Sequence, residues 1–248
     1  MGDLIASIRA NAARVAQGKA PKYKFGVQVP SNVQHAFNLD KLLGGTLWFD
    51  AIKSELNSIN SFKTFRILEE GESVPEGYTR IPYHLIFDVK FDGRRKCRLV
   101  AGGHRTPDVP QEEVYSGVVA METIRLAFLI ASLNGLQVCA ADVSTAFLYG
   151  KTREKVYVIA GPEFGKHAGK KMIIDKGLYG LKRSSARFHE HLSAKLRHMG
   201  FCPRKADHDL WIRDAGDHYE YVATYVDDML AFSRDPMSII KRFKRTTC

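Results

Sequence analysis

The chain has 248 residues and a mass of 27.9 kDa, which suits one large domain or two small ones. Hydrophobic residues make up 45% of it and charged residues 26%, which excludes disordered, collagenous and low-complexity proteins. The formal net charge of +10 favours a polyanionic partner, either nucleic acid or an anionic membrane, with a merely basic surface as the alternative.

Cysteine spacing and apolar runs exclude further classes of protein. The four cysteines are far apart and form no C-x-x-C pair, so neither a disulfide framework nor a zinc knuckle is indicated. No apolar run approaches the roughly 18 residues that a membrane span needs, and the N-terminal segment lacks the apolar stretch of a secretory signal. We therefore expect an intracellular, cytoplasmic protein without membrane contact.

The N-terminal part of the chain predicts a linker followed by a folded domain. Residues 1–45 are expected to be an upstream linker segment that begins with a short amphipathic helix, and residues 46–248 to be one truncated domain. From Thr46 the apolar residues recur at intervals of four, four and three, which predicts a helix that faces a core. These residues are Trp48, Ile52, Leu56 and Ile59.

Alternating residues on both sides of Asp92-Gly93 predict a β-hairpin. Every second residue from Leu85 to Phe91 is apolar, and Asp-Gly between alternating runs is a strong hairpin signal. Because side chains alternate along a strand, a row of cations shares one face of the return strand. The row consists of Arg94, Lys96 and Arg98. It is either an anion-binding face or a solvated strand face.

The rest of the chain mixes helices and strands, which predicts an α+β fold. Residues 123–133 are typical of a helix, 136–143 of a buried strand and 155–159 of a second strand. A long helix follows Gly180 and ends at Gly200. Its inner face carries Phe188, Leu192, Leu196 and Met199, and its outer face Arg187, His191, Lys195 and Arg197. We favour scaffolding over direct nucleic-acid contact for this helix, since basic outer faces are common.

Three aspartates are candidates for metal binding. The pattern around Asp227-Asp228 predicts strand, tight turn and strand, and aspartate in a turn needs no functional explanation. Asp142, however, ends the predicted buried strand, where a lone carboxylate is unfavourable without a partner. A metal ion would be such a partner. Carboxylates that converge on two divalent cations are the arrangement that phosphoryl transfer needs, and Mg2+ suits oxygen ligands.

Five segments of the chain form an ordered set of motifs: W-F-D-A-I-K-S-E at 48–55, K-C-R-L-V-A-G-G at 96–103, D-V-S-T-A-F-L at 142–148, L-Y-G-L-K at 178–182 and Y-V-D-D at 225–228. Together they resemble the reverse transcriptase of copia-type LTR retrotransposon polyproteins, and they occur in that family's order. The resemblance implies reverse-transcriptase-like fingers and palm, with an antiparallel palm sheet backed by helices. It also implies an RNA-directed DNA polymerase that transfers nucleotides to a primer 3′-hydroxyl.

The resemblance assigns a role to particular residues. Asp142, Asp227 and Asp228 match the metal-binding carboxylates, which would hold two Mg2+ ions, with Mn2+ as a possible substitute. Phe147 matches the aromatic gate beside the sugar of the incoming nucleotide, although it is equally typical of ordinary core packing. The remaining matches are to nucleotide-binding positions: Lys96 and Arg98 would hold the triphosphate, and the loop with Gly180 and Lys182 would pack beside the templating base.

The implied partners are an RNA or DNA template-primer and deoxynucleoside triphosphates. Only 20 residues follow Asp228, so we expect the thumb and the RNase H portion of the parent polyprotein to be absent, and catalysis by this chain to be weak or lacking. The parent class works in a cytoplasmic virus-like particle. The sequence gives no oligomeric state.

The chain departs from the family pattern at two places, and other functions stay open. The family has a strand with two more cations where this chain has His84-Leu85-Ile86-Phe87-Asp88. It also has a Ser-Pro pair where this chain has Ser184-Ser185. A zinc site is disfavoured because the spacing of the candidate ligands matches no known pattern. Those candidates are His189, His191, His198, Cys202 and His208. The alternative functions are a non-catalytic, basic nucleic-acid-binding remnant and a plain α+β protein with a basic surface.

Overall fold

The structure is a computed structural model that describes residues 20–106 and 110–245. It confirms the α+β class. The helices are α1 (Val33–Leu43), α2 (Leu47–Ser61), α3 (Gln111–Val114), α4 (Met121–Leu133), α5 (Ser184–His198) and α6 (Pro236–Arg245), with 3-10 turns at Gly103–Arg105, Ala146–Tyr149 and Pro162–His167. The helix predicted near the N-terminus lies outside the described residues.

Thirteen strands are assigned within the described residues. They are β1 (Lys22–Lys24), β2 (Val27–Val29), β3 (Phe65–Ile67), β4 (Thr79–Arg80), β5 (Tyr83–Val89), β6 (Arg95–Ala101), β7 (Gln137–Asp142), β8 (Val156–Ile159), β9 (Lys171–Ile174), β10 (Cys202–Pro203), β11 (Leu210–Asp214), β12 (Tyr219–Tyr225) and β13 (Asp228–Ser233). No helix among the described residues is long and apolar enough to cross a membrane.

The chain folds into two compact units. Among the described residues, the first unit comprises residues 20–106 and 154–181, and the second comprises residues 110–153 and 182–245. Residues 20–45, within the segment predicted as a linker, form β1, β2 and α1 in the first unit. Strands β1 and β2 pair as an antiparallel hairpin.

The first unit is built on the hairpin of β5 and β6, with α2 packed against β6. All four apolar residues predicted to form the inner stripe of α2 are buried. The Asp92-Gly93 hairpin prediction is also confirmed: the amide of Gly93 donates to the carbonyl of Lys90 at 2.9 Å, and Gly93 has φ +80°. This combination is a tight turn closed by a left-handed glycine. A second sheet of this unit has the strand order β3-β9-β8-β4.

The second unit is an antiparallel sheet with helices on both faces, in agreement with the helix-backed antiparallel sheet that the family resemblance implies. Its strand order is β10-β11-β12-β13-β7. Helices α5 and α6 pack on one face, through residues such as Phe188, Leu196 and Phe243. Helix α4 packs on the other face through Ala127 and Ala131. Alternate residues of β12 and β13 therefore enter two different cores.

Two expectations about burial are wrong. Strand β7 was expected to be buried, yet it is an edge strand and most of its residues are exposed, including Asp142. A run of small and apolar residues predicts a strand but does not tell a central strand from an edge strand. The cations Arg187 and Lys195, expected on an outer helix face, are buried. Arg187 pairs with Glu190 at 2.6 Å, and the ammonium of Lys195 lies 4.1 Å from the ring centroid of Phe243.

Candidate functional site

The three aspartates lie at one end of the sheet of the second unit. Strands β7 and β13 pair antiparallel so that Asp142 is directly opposite Asp228, and side chains of directly opposed residues share one face. Asp227 lies in the turn between β12 and β13. Asp142 and Asp228 are exposed and Asp227 is half-buried. The fold therefore brings together a mid-chain carboxylate and an acidic pair 85 positions later.

A strained turn holds the acidic pair. Tyr225 pairs with Asp228, which leaves Val226 and Asp227 as a two-residue loop. Val226 has φ +53°, a conformation that is unfavourable for a β-branched residue and is typical of functional turns. The amide of Val143 donates to the carbonyl of Asp227 at 2.8 Å, so the turn is tied to the residue that follows Asp142.

The carboxylates repel one another. The pKa of Asp228 is raised above its usual 3.8 by partial burial and by the charges of Asp227 and Asp142. Nearby like charges disfavour ionisation, whereas a cation between them would favour it. The electrostatics of the site therefore favour a bound cation.

The donor set fits a hard divalent cation that is shared with a substrate. Within residues 20–106 and 110–245, no three His, Cys, Asp or Glu side chains are gathered closely enough to form a complete metal site. The donors at hand are oxygens: three carboxylates and the hydroxyl of Ser144, which lies 3.3 Å from Asp142 Oδ2. Mg2+ binds through one or two carboxylates and takes further ligands from water and substrate phosphates. An open, all-oxygen group therefore suits it.

Phe147 occupies the 3-10 turn that follows β7. Thr145, which precedes this turn, has φ +58°. The ring of Phe147 is half-buried and packs edge-on against Phe188, with 6.5 Å between ring centroids. A pocket of about 200 Å³ adjoins the same segment and is lined by Asp142, Ser144 and Lys244 among others. Phe147 thus has a partial core contact, and its role as a gate stays a prediction.

The predicted triphosphate-binding cations lie on β6 of the first unit. Lys96 is opposite Asp88 and Arg98 is opposite Ile86, so both cations share a face of the hairpin. The guanidinium of Arg98 lies 5.4 Å from the ring centroid of Tyr179. Asp88 stands where the family pattern has a cation, and Lys24 pairs with it at 2.6 Å, which lowers the pKa of Asp88.

Glu55 is a residue of this region to which sequence reasoning gave no role. Its Oε1 accepts a hydrogen bond from the amide of Leu99 at 2.9 Å, on the edge of β6 that faces away from β5. Burial raises the pKa of Glu55, and this effect is opposed by the Leu99 hydrogen bond and by the charges of Lys96 and Arg98. A signal was present, because Glu55 interrupts the apolar stripe of α2, seven residues after Trp48.

Gly180 joins two of the family-like segments through backbone contact. The amide of Ala101 donates to the carbonyl of Tyr179 at 2.7 Å. A Cβ on Gly180 would lie 2.1 Å from the carbonyl oxygen of Ala101, and Gly180 has φ +88°. Only glycine fits both constraints. Lys182 is half-buried in the second unit, just before α5. Helix α5 begins at Ser184 without a side-chain N-cap.

Two of the candidate zinc ligands contact residues outside the candidate set. His189 Nε2 lies 2.7 Å from Asp209 Oδ1, and the ring of His191 stacks on Tyr149 at 5.6 Å. Thr224, the residue before Tyr225, also bonds to Asp209 through its hydroxyl at 3.2 Å. This buried network supports the strand that leads into the acidic turn.

Comparisons with known proteins agree with the sequence motifs. The family described as reverse transcriptase (RNA-dependent DNA polymerase) matches residues 62–247. The chain is 29% identical over 201 residues to a retrovirus-related Pol polyprotein from transposon TNT 1-94 of Nicotiana tabacum, covering 77% of the chain. It is 28% identical over 224 residues to the corresponding polyprotein from transposon RE1 of Arabidopsis thaliana, covering 87%. These relatives are copia-type elements, so the resemblance found in the sequence is confirmed.

The matches cover only part of the relatives. The chain spans 15% of the length of each of these two polyproteins. Among solved structures, a foamy viral protease-reverse transcriptase in complex with double-stranded DNA matches with a TM-score of 0.40 and 13% identity, covering 80% of this chain and 28% of that one.

Proposed function

We propose a function from one premise: this chain belongs to the family of reverse transcriptases, the RNA-dependent DNA polymerases. The proposed activity is template-directed transfer of deoxynucleotides to the 3′-hydroxyl of a primer, on an RNA or DNA template. The observation that carries the proposal is the position of Asp142 opposite Asp228, with Asp227 in the adjoining turn. These are the carboxylates that the family resemblance assigns to catalysis.

The proposed site works through charge and position. Polymerases of this family generally use divalent metals. Asp142, Asp227 and Asp228 would hold two Mg2+ ions, which supply activation of the attacking hydroxyl and stabilisation of the leaving pyrophosphate. The Val143–Asp227 hydrogen bond fixes the turn against the end of β7, so the carboxylates keep their spacing.

Lys96 and Arg98 are proposed to hold the triphosphate of the incoming nucleotide. Two cations on one strand face suit an oligoanion, and a guanidinium can bind phosphate through two hydrogen bonds. Phe147 is proposed to select against a 2′-hydroxyl, and Gly180 and Lys182 to adjoin the templating base.

A ternary-complex assay tests the proposal without requiring turnover. The purified chain is incubated with a template-primer that ends in a dideoxynucleotide, and the complex is then challenged with heparin. We expect the next correct nucleotide plus Mg2+ to prolong the lifetime of the complex at least tenfold, because the metal ions and the triphosphate bridge protein and primer. Asp142→Asn should abolish this effect.

Asp214→Asn is the matched control, because it removes an equal charge from an exposed residue of the same sheet. It should behave like the unsubstituted chain. Binding that ignores nucleotide, Mg2+ and Asp142 would contradict the proposal. It would support the alternative, a non-catalytic basic nucleic-acid-binding remnant, for which the net charge of +10 is the favouring observation.

A further inference from the structure

Large aromatic side chains are exposed where the β1–β2 hairpin meets the tip of the β5–β6 hairpin. Phe91 is 89% exposed and Phe25 is 55% exposed. Their ring centroids are 5.6 Å apart and the rings are nearly perpendicular, at 87°. Tyr23, two residues before Phe25, is 60% exposed. We call the surface formed by Phe25, Phe91 and the charged residues around them the aromatic tip.

Core packing does not explain why Phe25 is in this position. Phe25 and Gly26 connect β1 to β2, and both have positive φ, +51° and +75°. A two-residue hairpin turn with two positive φ angles is of type I′, for which Asn-Gly is the preferred sequence. A phenylalanine in this turn has an unfavourable backbone conformation and gains little burial in return. Its ring instead extends the surface of Phe91.

The charges around these rings are mainly positive. Residues 22–25 and 88–95 contain five cations and two carboxylates. Both carboxylates are engaged by cations: Asp88 by Lys24 and Asp92 by Arg94, each at 2.6 Å. Lys22 and Lys90, which belong to the same two segments, are exposed. The aromatic tip therefore combines exposed π-faces with a positive potential.

We propose that the aromatic tip binds single-stranded nucleic acid, with bases stacking on Phe25 and Phe91 and phosphates beside the flanking cations. Exposed aromatic rings interleaved with cations are the common feature of surfaces that bind single strands, because every base has a π-face and every nucleotide a phosphate. A blunt duplex offers no unstacked base. The inference is separable from the proposed polymerase activity, since it needs neither the carboxylates nor a metal ion.

Fluorescence anisotropy of a labelled oligodeoxythymidine of about 15 nucleotides tests the inference, with the full 248-residue chain in the absence of Mg2+. We expect Phe91→Ala to weaken binding about fivefold or more, and Phe91→Trp to retain or strengthen it. Phe25→Asn should weaken binding to a similar extent. Because asparagine is favoured in a type I′ turn, this variant should keep the melting temperature of the chain or raise it.

Phe49→Ala is the matched control. Phe49 is another exposed ring of the first unit, 47% exposed and paired with Phe37 at 6.1 Å, but it is followed by Asp50. This variant should bind the oligonucleotide like the unsubstituted chain. Failure of the polymerase proposal would leave this inference intact, because the oligonucleotide assay contains no Mg2+ and its variants lie outside the acidic cluster.

Three results would overturn the inference. One is unchanged oligonucleotide affinity in both Phe91→Ala and Phe25→Asn. Another is an equal loss of affinity for a blunt duplex of the same length, which would show that the rings act without stacking. The third is unchanged oligonucleotide binding together with reduced binding to anionic phospholipid vesicles, which would identify the aromatic tip as a membrane contact.

Discussion

At the scale of single residues, the acidic turn combines strain and repulsion in one place. Val226 adopts a left-handed conformation, and Asp228 lies close enough to Asp227 and Asp142 for their charges to raise its pKa. The sequence pattern predicted a tight turn at Asp227-Asp228, because Asp-Asp separates two apolar strands, but the loop residues are Val226 and Asp227, and Asp228 begins β13. It did not predict the strain, since the φ of a valine is decided by the strand pairing on both sides of the loop.

Relief of the strain should stabilise the chain. We expect Val226→Asn to raise the free energy of unfolding by about 1 kcal/mol, because asparagine tolerates the left-handed region far better than a β-branched residue. Urea denaturation measures the change. A loss of stability would show that side-chain packing of Val226 outweighs its backbone strain.

Removal of one negative charge from the cluster should also stabilise the chain, in a pH-dependent way. The pKa of Asp228 is raised in the folded state, so its ionisation opposes folding at pH values above that pKa. At neutral pH and low salt, Asp228→Asn should therefore be more stable, by about 0.5 kcal/mol for so exposed a group. The difference should vanish as the pH falls below the ordinary value of 3.8, as thermal melts across pH would show. A stability difference between Asp228→Asn and the unsubstituted chain that grows at low pH would contradict this prediction.

At the scale of elements, the sequence pattern predicted the features that depend on interactions between residues close together in the chain. The stripe of α2, the β5–β6 hairpin and the inner face of α5 all follow from residue periodicity and turn chemistry. The edge position of β7 and the burial of Arg187 and Lys195 do not, because they depend on which distant elements cover a surface. The contact between Gly180 and Ala101 likewise joins residues that are far apart in the chain, so the local pattern did not predict it.

Gly180 should be irreplaceable for steric reasons. We expect Gly180→Ala to destabilise the chain by about 3 kcal/mol, since its Cβ would meet the carbonyl oxygen of Ala101 and its φ is positive. Gly71 is a control of the same unit with φ +86° and no atom within 4 Å of an added Cβ. Gly71→Ala should lose only about 1 kcal/mol in denaturant unfolding. Equal losses in the two variants would refute the steric account.

Glu55 should stabilise the edge of β6 through its hydrogen bond with Leu99. Glu55→Ala leaves that amide without its acceptor and should lose about 1 to 2 kcal/mol, whereas Glu55→Gln keeps an acceptor and should lose less. Because the pKa of Glu55 is raised above 4.5, stability of the unsubstituted chain should fall as pH rises through the folded-state pKa. Glu55→Gln should lack this component in urea titrations across pH. The same pH dependence in both proteins would exclude the carboxylate as its source.

At the scale of the whole molecule, a strongly basic chain contains a local acidic cluster. The net charge of +10 favours polyanions, while Asp142, Asp227 and Asp228 would repel phosphates unless cations intervene. This opposition explains why affinity for nucleic acid and dependence on divalent ions should be separable. Affinity should fall steeply with salt in all variants, and only variants of the acidic cluster should lose the response to Mg2+.

The central claim is that the three aspartates bind the same divalent ions, and iron-directed cleavage tests it most directly. Fe2+ replaces Mg2+ in the presence of template-primer and nucleotide, and hydrogen peroxide and ascorbate are added. The bound Fe2+ reduces the peroxide to hydroxyl radicals, which cut the chain near the metal, and ascorbate returns the iron to Fe2+. The account predicts cuts near Asp142 and near Asp227-Asp228, with both sets suppressed by excess Mg2+ and both lost in Asp142→Asn. Cuts near the acidic turn that persist unchanged in Asp142→Asn, or no cuts at either segment, would contradict it.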